Sequence, residues 1–219
     1  MKVIAINGSP RKNGNTSVLI QTVFEELNRE GIETEEINIG KTNFKGCIAC
    51  NKCWKTRDGR CAIPDHNFNE IVDKLREADG IILGSPVYLG DVSGQMKTFM
   101  DRVSYASTGA GEIFKRKVGA SIAAARRQGT IPTINTLNSF FSSSQMIIVS
   151  SNYWNFGLGM IEGEVNSDAE GLQTMRNLGK NMAWTMKSLQ KANLPEPDTG
   201  FNVISKINFE TININSVNR

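Results

Sequence analysis

Short apolar runs alternating with helical stripes recur along this chain, and no other feature restricts its fold as much. The first run is Lys2–Asn7, ended by Gly8. From about Thr16 to Arg29, the residues Leu19, Ile20, Val23, Phe24 and Leu27 then follow helical spacing, and Gly31 stops that helix. Glu35–Ile39 reads as a second strand with Gly40 behind it, and Phe68, Ile71, Val72, Leu75 and Ala78 form the next stripe. Gly80–Gly84 reads as a third strand, which Pro86 keeps from simple continuation. Ser93 is placed to cap a helix running to about Val103, with Met96, Phe99 and Met100 on one side, and Ser104–Lys115 reads as a loop of small residues. Val118–Ala124, a helix over Thr130–Phe141 and a strand at Met146–Val149 follow. Ser167-Asp168-Ala169-Glu170 fits a capping box that opens a long helix, with Leu172, Met175, Met182, Met186 and Leu189 inward.

This alternation predicts the α/β class: a doubly wound, five-stranded parallel sheet in the order 2-1-3-4-5, joined by right-handed crossovers and covered on both faces. A chain of 219 residues holds one such domain with a full core. The expected division is a domain over residues 1–193, with an inserted cysteine loop at 45–65, and a C-terminal extension over 194–219. Pro195 and Pro197 open that extension, which is read as a loosely attached surface segment, with docking on a partner subunit as the sharper alternative. The net charge of +3 comes without a basic run, which argues against nucleic acid. No apolar stretch approaches the roughly 20 residues that span a bilayer, and the N-terminus turns at once into a glycine loop. A cytoplasmic protein is the expectation.

All four cysteines fall in one short segment, Cys47, Cys50, Cys53 and Cys61, with the spacing C-x2-C-x2-C-x7-C. Four thiolates so grouped suit an iron–sulfur cluster. Three other readings stay open: free or transiently oxidised thiols, a structural zinc site and disulfides. Trp54 and Ile63 are candidates to shield such a centre from water, or ordinary loop anchors.

Two strand-end loops carry a second kind of chemistry. Gly8-Ser9-Pro10-Arg11-Lys12-Asn13-Gly14-Asn15-Thr16-Ser17 joins the first strand to the first helix. Its amides, the positive helix end and the short side chains of Ser9, Asn15, Thr16 and Ser17 form an anion site suited to a phosphomonoester, with Arg11 adding charge. It lacks the Gly-Lys-Ser/Thr ending of a Walker loop and the G-x-G-x-x-G of a dinucleotide loop. Gly84-Ser85-Pro86-Val87-Tyr88-Leu89-Gly90-Asp91 should face it across the sheet and suits a planar heteroaromatic ring. Arg126-Arg127-Gln128-Gly129 follows the fourth strand at the same edge. No acid–base dyad is evident, so no catalytic side chain is assigned, and the single histidine, His66, has no triad partner.

Gly8-Ser9-Pro10-Arg11, Gly14-Asn15-Thr16, the cysteine run, Gly84-Ser85-Pro86-Val87-Tyr88 and Ser93-Gly94-Gln95-Met96-Lys97-x-Phe99-x-Asp101-Arg102 together resemble the NAD(P)H-dependent FMN reductase superfamily. The cysteine loop is similar to that of the iron–sulfur flavoproteins within it. The resemblance covers about residues 1–190. It implies a flavodoxin-like fold, FMN, a [4Fe–4S] cluster on Cys47, Cys50, Cys53 and Cys61, and electron transfer between cluster, flavin and a small-molecule acceptor. It implies that Ser9, Arg11, Asn13, Asn15, Thr16 and Ser17 hold the FMN phosphate. Pro86, Val87, Tyr88, Leu89 and Gly90 would line the isoalloxazine ring, with Arg126, Arg127 and Gly129 beside it. It further implies a homodimer or homotetramer, with the Ser93–Val103 helix in the dimer contact and the cluster loop near a neighbour's flavin. Two other functions compete with this one: a cluster-free NAD(P)H-dependent FMN or quinone reductase, with NAD(P)H as co-substrate, and a carrier that exchanges electrons with ferredoxin. Ser104–Glu112 and Ser151–Gly159 are the candidates to border a substrate opening.

Overall fold

The computed structural model describes residues 1–199. Five strands pair in parallel in the order β2-β1-β3-β4-β5: β1 Lys2–Asn7, β2 Glu33–Asn38, β3 Gly80–Pro86, β4 Val118–Ala125 and β5 Ile147–Ile148. A sixth, β6 Phe156–Leu158, pairs with the far end of β4. The helices are α1 Asn15–Arg29, α2 Lys52–Thr56, α3 Phe68–Glu77, α4 Gly94–Gly109, α5 Thr130–Ser143 and α6 Ala169–Ala192. Among the described residues no helix is long and apolar enough to cross a membrane.

The two-residue period of a strand divides the core. Val3 and Ala5 of β1 join Ile82, Ala120 and Ile122 under α1 and α6. Ile4 and Ile6 join Ile81 and Leu83 under α3, α4 and α5. Both faces of the central strands are thus apolar, as covered parallel strands require. β2, at the edge, is half-exposed, and its Glu35 takes ion pairs from Lys2 and Lys74.

Several expected boundaries move, each for a physical reason. α4 runs to Gly109, so Ser104–Glu112 is not an open loop; the small residues there let the helix approach a neighbour closely, with Ala106, Ser107 and Gly109 buried. β3 includes Pro86. By that residue β1 has ended, with Asn7 opposite Gly84, so the missing N–H would have had no strand to meet on that side. The expected strand at Met146–Val149 shortens to β5, and β6 forms within the Ser151–Gly159 segment. Ser167 closes a 3-10 turn over Glu164–Ser167, and the cap of α6 is Asp168 instead. One Asp168 oxygen accepts from Gly171 N at 2.9 Å and the other from Leu158 N at 2.7 Å, so the cap also fixes β6. Residues 194–199 lie along the corner between β4 and β5, where Arg116 meets Glu196 and Pro197, and Gln145 meets Thr199. The rest of the expected extension lies outside the described residues.

Ser93 does cap α4, accepting from Met96 N, and its own hydroxyl donates to Gly8 O at 2.8 Å in a fully buried site. Ser93→Ala leaves two buried backbone groups unpaired. It should lower stability by about 2 kcal/mol, seen as a lower urea midpoint with unchanged slope.

Candidate functional site

The loops at the carboxyl ends of the strands are fastened to one another, and the fastenings are short. Gly8 N donates to Gly84 O at 2.8 Å, and Ser93 ties the β3–α4 loop back to Gly8. Val87 N donates to Ala124 O at 2.8 Å. A Cβ on Gly129 would lie 2.6 Å from Val87 Cγ1 and 3.0 Å from Gly90 Cα, so the loop after β4 sits directly on the loop after β3. On the other side, Gly159 N reaches Ala125 O, Arg11 Nη1 donates to Met160 O at 3.1 Å, and Asn15 Nδ2 donates to Ile161 O at 3.0 Å. Four loops therefore make one rim at the edge where open α/β sheets bind ligands.

Within the first loop, Ser9 N bonds to Asn7 Oδ1, and Ser9 Oγ accepts from Arg11 N. Asn38 Nδ2 holds Ser9 O from β2 at 3.0 Å, and Gly40 packs so closely that a Cβ there would lie 2.0 Å from Ser9 C and O. No side chain caps the start of α1, and no acidic residue stands in its first turn. The amides that begin an uncapped helix are anion donors. Arg11 and Asn13 are exposed at this rim, while Ser9 and Thr16 are buried in it.

Two of the expected phosphate residues have other side-chain partners. Asn15 uses both ends of its amide on the segment after β6, at Ile161 O and Val165 N. Ser17 Oγ lies 3.0 Å from both oxygens of Glu36, which also accepts from Asn7 and Gln21. Glu36, Gly40 and the 159–165 segment are participants that sequence reasoning missed. Only chain folding brings them together, and the glycine after the second strand was the one available signal.

Tyr88 and Asp91 bond each other's backbone across a two-residue turn in which Leu89 has φ 48° and Gly90 φ 80°. That is the mirror-type hairpin turn, in which a leucine is out of place. Leu89 is also fully exposed and Tyr88 nearly half-exposed, so neither backbone preference nor burial accounts for them. Pro86 and Val87 lie beneath, partly buried. Arg126 and Arg127 stand exposed beyond the end of β4, and Tyr153 packs edge-on to Trp154 at 4.7 Å in the exposed segment before β6.

The cysteine loop lies against the far half of α4. Cys47 and Cys50 are exposed, Cys61 is partly buried and Cys53, on α2, is buried. Asn69 of α3 clasps the Cys61 backbone at both its N–H and its carbonyl. Burial pushes the Cys53 thiol up, and the nearness of Cys61 and then Cys50 adds to the shift. Tyr105 is pushed up by burial and by Cys53, Cys47 and Cys50. Among the described residues no three Cys, His, Asp or Glu side chains are grouped to hold a metal ion. Ala49, Asn51 and Arg57 all take positive φ, concentrating left-handed backbone around the thiols. Such conformations are costly outside glycine and cluster at ligand clamps. His66 is exposed, just ahead of α3.

The sequence model of the NADPH-dependent FMN reductase family matches residues 1–160. An iron–sulfur flavoprotein of Methanocaldococcus jannaschii is 42% identical over 198 residues, which is 87% of this chain and all of that protein. Another from Methanosarcina thermophila is 33% identical over 87% of this chain and 98% of its own length. Among solved structures, RosB with bound 8-demethyl-8-formylriboflavin-5′-phosphate superposes with a TM-score of 0.69 at 16% identity, covering 95% of this chain and 92% of that one. At that identity the likeness is one of fold.

Proposed function

The chain belongs to the iron–sulfur flavoproteins of the NADPH-dependent FMN reductase family and is a flavin-dependent oxidoreductase, and on that premise we propose that it relays electrons between a [4Fe–4S] cluster in the cysteine loop, FMN at the strand-end rim and an acceptor. The observation that carries this reading is the presence in one chain of an interlocked, uncapped phosphate-type cradle and a four-thiol loop. When bound, FMN supplies the exchange between two-electron and one-electron chemistry.

The cradle fits a phosphomonoester by the chemistry of its donors. The free amides of Asn15, Thr16 and Ser17, the Ser9 hydroxyl, Thr16 and the exposed Arg11 and Asn13 would hold it. The Asn15 and Ser17 side chains, engaged elsewhere, shape the walls. Leu89 and Tyr88 would face one side of the ring, with Pro86, Val87 and Gly90 setting the turn that carries them. Arg126, Arg127 and Gly129 would lie beside the ring, where the two arginines would favour its anionic reduced form.

Cys47, Cys50, Cys53 and Cys61 would hold the cluster, with Trp54 over it; Trp54 already rests against Tyr105 at 5.7 Å between centroids. The cradle meets α4 at Ser93 and the thiols meet it near Gly109, about 24 Å further along the helix. We further propose a homo-oligomer in which one copy's thiol loop approaches another copy's flavin. Protein purified without oxygen should carry about four iron and four sulfide per FMN. Failure to retain flavin under saturating supply overturns the whole reading. Iron-free yellow protein that oxidises NADPH overturns the cluster and leaves a simple reductase, whereas reduction by ferredoxin but not by NAD(P)H favours the carrier or the cluster reading.

A further inference from the structure

Arg102 is a buried cation far from the strand-end rim. Its side chain has no exposed surface, and it pairs with Asp65, itself almost fully buried. Nη1 also donates to Lys45 O at 3.1 Å and Nη2 to Ile63 O at 3.2 Å. Asp65 in turn accepts from Lys45 N at 2.9 Å. Burial pushes the Asp65 carboxyl up, but the Lys45 amide and then Arg102 outweigh it and hold it below the usual aspartate range. Lys45 lies two residues before Cys47 and Ile63 two residues after Cys61. Both ends of the thiol-bearing excursion thus converge on one guanidinium.

The same helix holds the loop at two more points. Tyr105 OH bonds to Asn51 Oδ1, at the start of α2. Gly109 lies under Cys53 and Trp54, where an added Cβ would be 3.2 Å from Cys53 O and 3.2 Å from Trp54 Cδ1. Positions 102, 105 and 109 follow i, i+3, i+7 spacing and form one stripe of α4. The phenyl ring of Phe68 lies 3.7 Å beneath the guanidinium in a favourable cation–π contact, while the buried Nε–H has no partner.

We propose that Arg102 is a positioning residue which, with Tyr105 and Gly109, fastens the cysteine loop in its folded course before any metal enters. Closing a long loop is entropically unfavourable, and ordering thiols at the moment of metal binding would weaken that binding. The clamp removes most of that cost in advance. Its purpose rests on the cluster assignment above, but its geometry does not.

The test uses the full chain, FMN-loaded and freed of metal under anaerobic conditions. Arg102→Lys keeps the charge and loses the fork. It should speed modification of Cys53 by an aromatic disulfide at least tenfold, resolved by peptide mass mapping, while Cys47 and Cys50 change less than twofold and FMN affinity less than twofold. After reconstitution with iron and sulfide, the EPR spectrum of the reduced cluster should differ from wild type, which a role in global stability alone would not cause. Gly109→Leu wedges the loop away without touching the ion pair and should give the same Cys53 acceleration if Arg102→Lys fails to fold. A Cys53 rate within twofold of wild type in the folded variants overturns the clamp. If wild type takes up no iron and sulfide yet the accelerations appear, the clamp stands and the cluster assignment falls.

Discussion

Gly40→Ala should weaken FMN binding by at least 100-fold, a loss of about 2.7 kcal/mol. The added methyl has nowhere to go, because a Cβ there would sit 2.0 Å from the carbonyl carbon and oxygen of Ser9 and 2.4 Å from Pro10 N. These are backbone atoms of the phosphate-type loop and cannot rotate aside as a side-chain tip would. The loop must shift by an ångström or more, and anion sites built of amides lose strength at that scale. Asn38 opposes the shift through its bond to Ser9 O, so strain is shared between the loop and the end of β2. Gly31→Ala is the matched control: its φ is 75° but nothing lies within 4 Å of the added carbon, so it bears backbone strain without touching the cradle. Fluorescence titration of flavin-free protein should show the loss for Gly40→Ala and a change under twofold for Gly31→Ala. Affinity for Gly40→Ala within threefold of wild type would mean that this loop does not hold the phosphate.

The parallel order and the layering were legible because they depend on local patterns. The alternation Val3, Ile4, Ala5, Ile6 places successive side chains in the two separate cores, and glycine or proline stands at or just past the ends of the first three strands. The thiol loop was legible from spacing alone. What stayed hidden depends on distant pairs. Asn15 meets Val165 across the whole domain, and Glu36 on an edge strand looks like any solvated acid until Ser17 and Asn7 are seen to point at it. Arg102 and Asp65 stand 37 positions apart, so nothing local in the sequence announces their pairing. The missed half of α4 has a different cause. Small residues give a weak helical stripe, yet they are the reason the cysteine loop can lie so close.

Those small residues give α4 two tasks at its two ends. Its first turn is bound to the cradle through Ser93, and its last turns hold the thiols through Arg102, Tyr105 and Gly109. A displacement of the helix axis would move both sites together. Stability of this one helix therefore bears on flavin binding and on the thiol loop, even though the two sites share no side chain.

Cys50→Ser should reduce the iron content from about four per chain to less than one while leaving FMN affinity within twofold of wild type. Cys50 is exposed and packs into no core, so exchanging its sulfur for oxygen leaves the metal-free fold as it was. The left-handed residues on either side, Ala49 and Asn51, keep the turn that presents it. The effect is therefore confined to the metal: a serine hydroxyl stays protonated where a thiol gives up its proton to iron, and a four-thiolate centre does not assemble on three. Cys53→Ser adds a second reading, because that side chain is buried and a hydroxyl there puts a polar group where the thiol was. It should lose iron to the same extent and lower thermal stability as well, which Cys50→Ser should not. Visible absorbance beyond the flavin bands, measured without oxygen on both variants, checks the pair. Iron retained at the wild-type ratio in Cys50→Ser would remove this cysteine from the ligand set and break the symmetry of the four-thiol assignment.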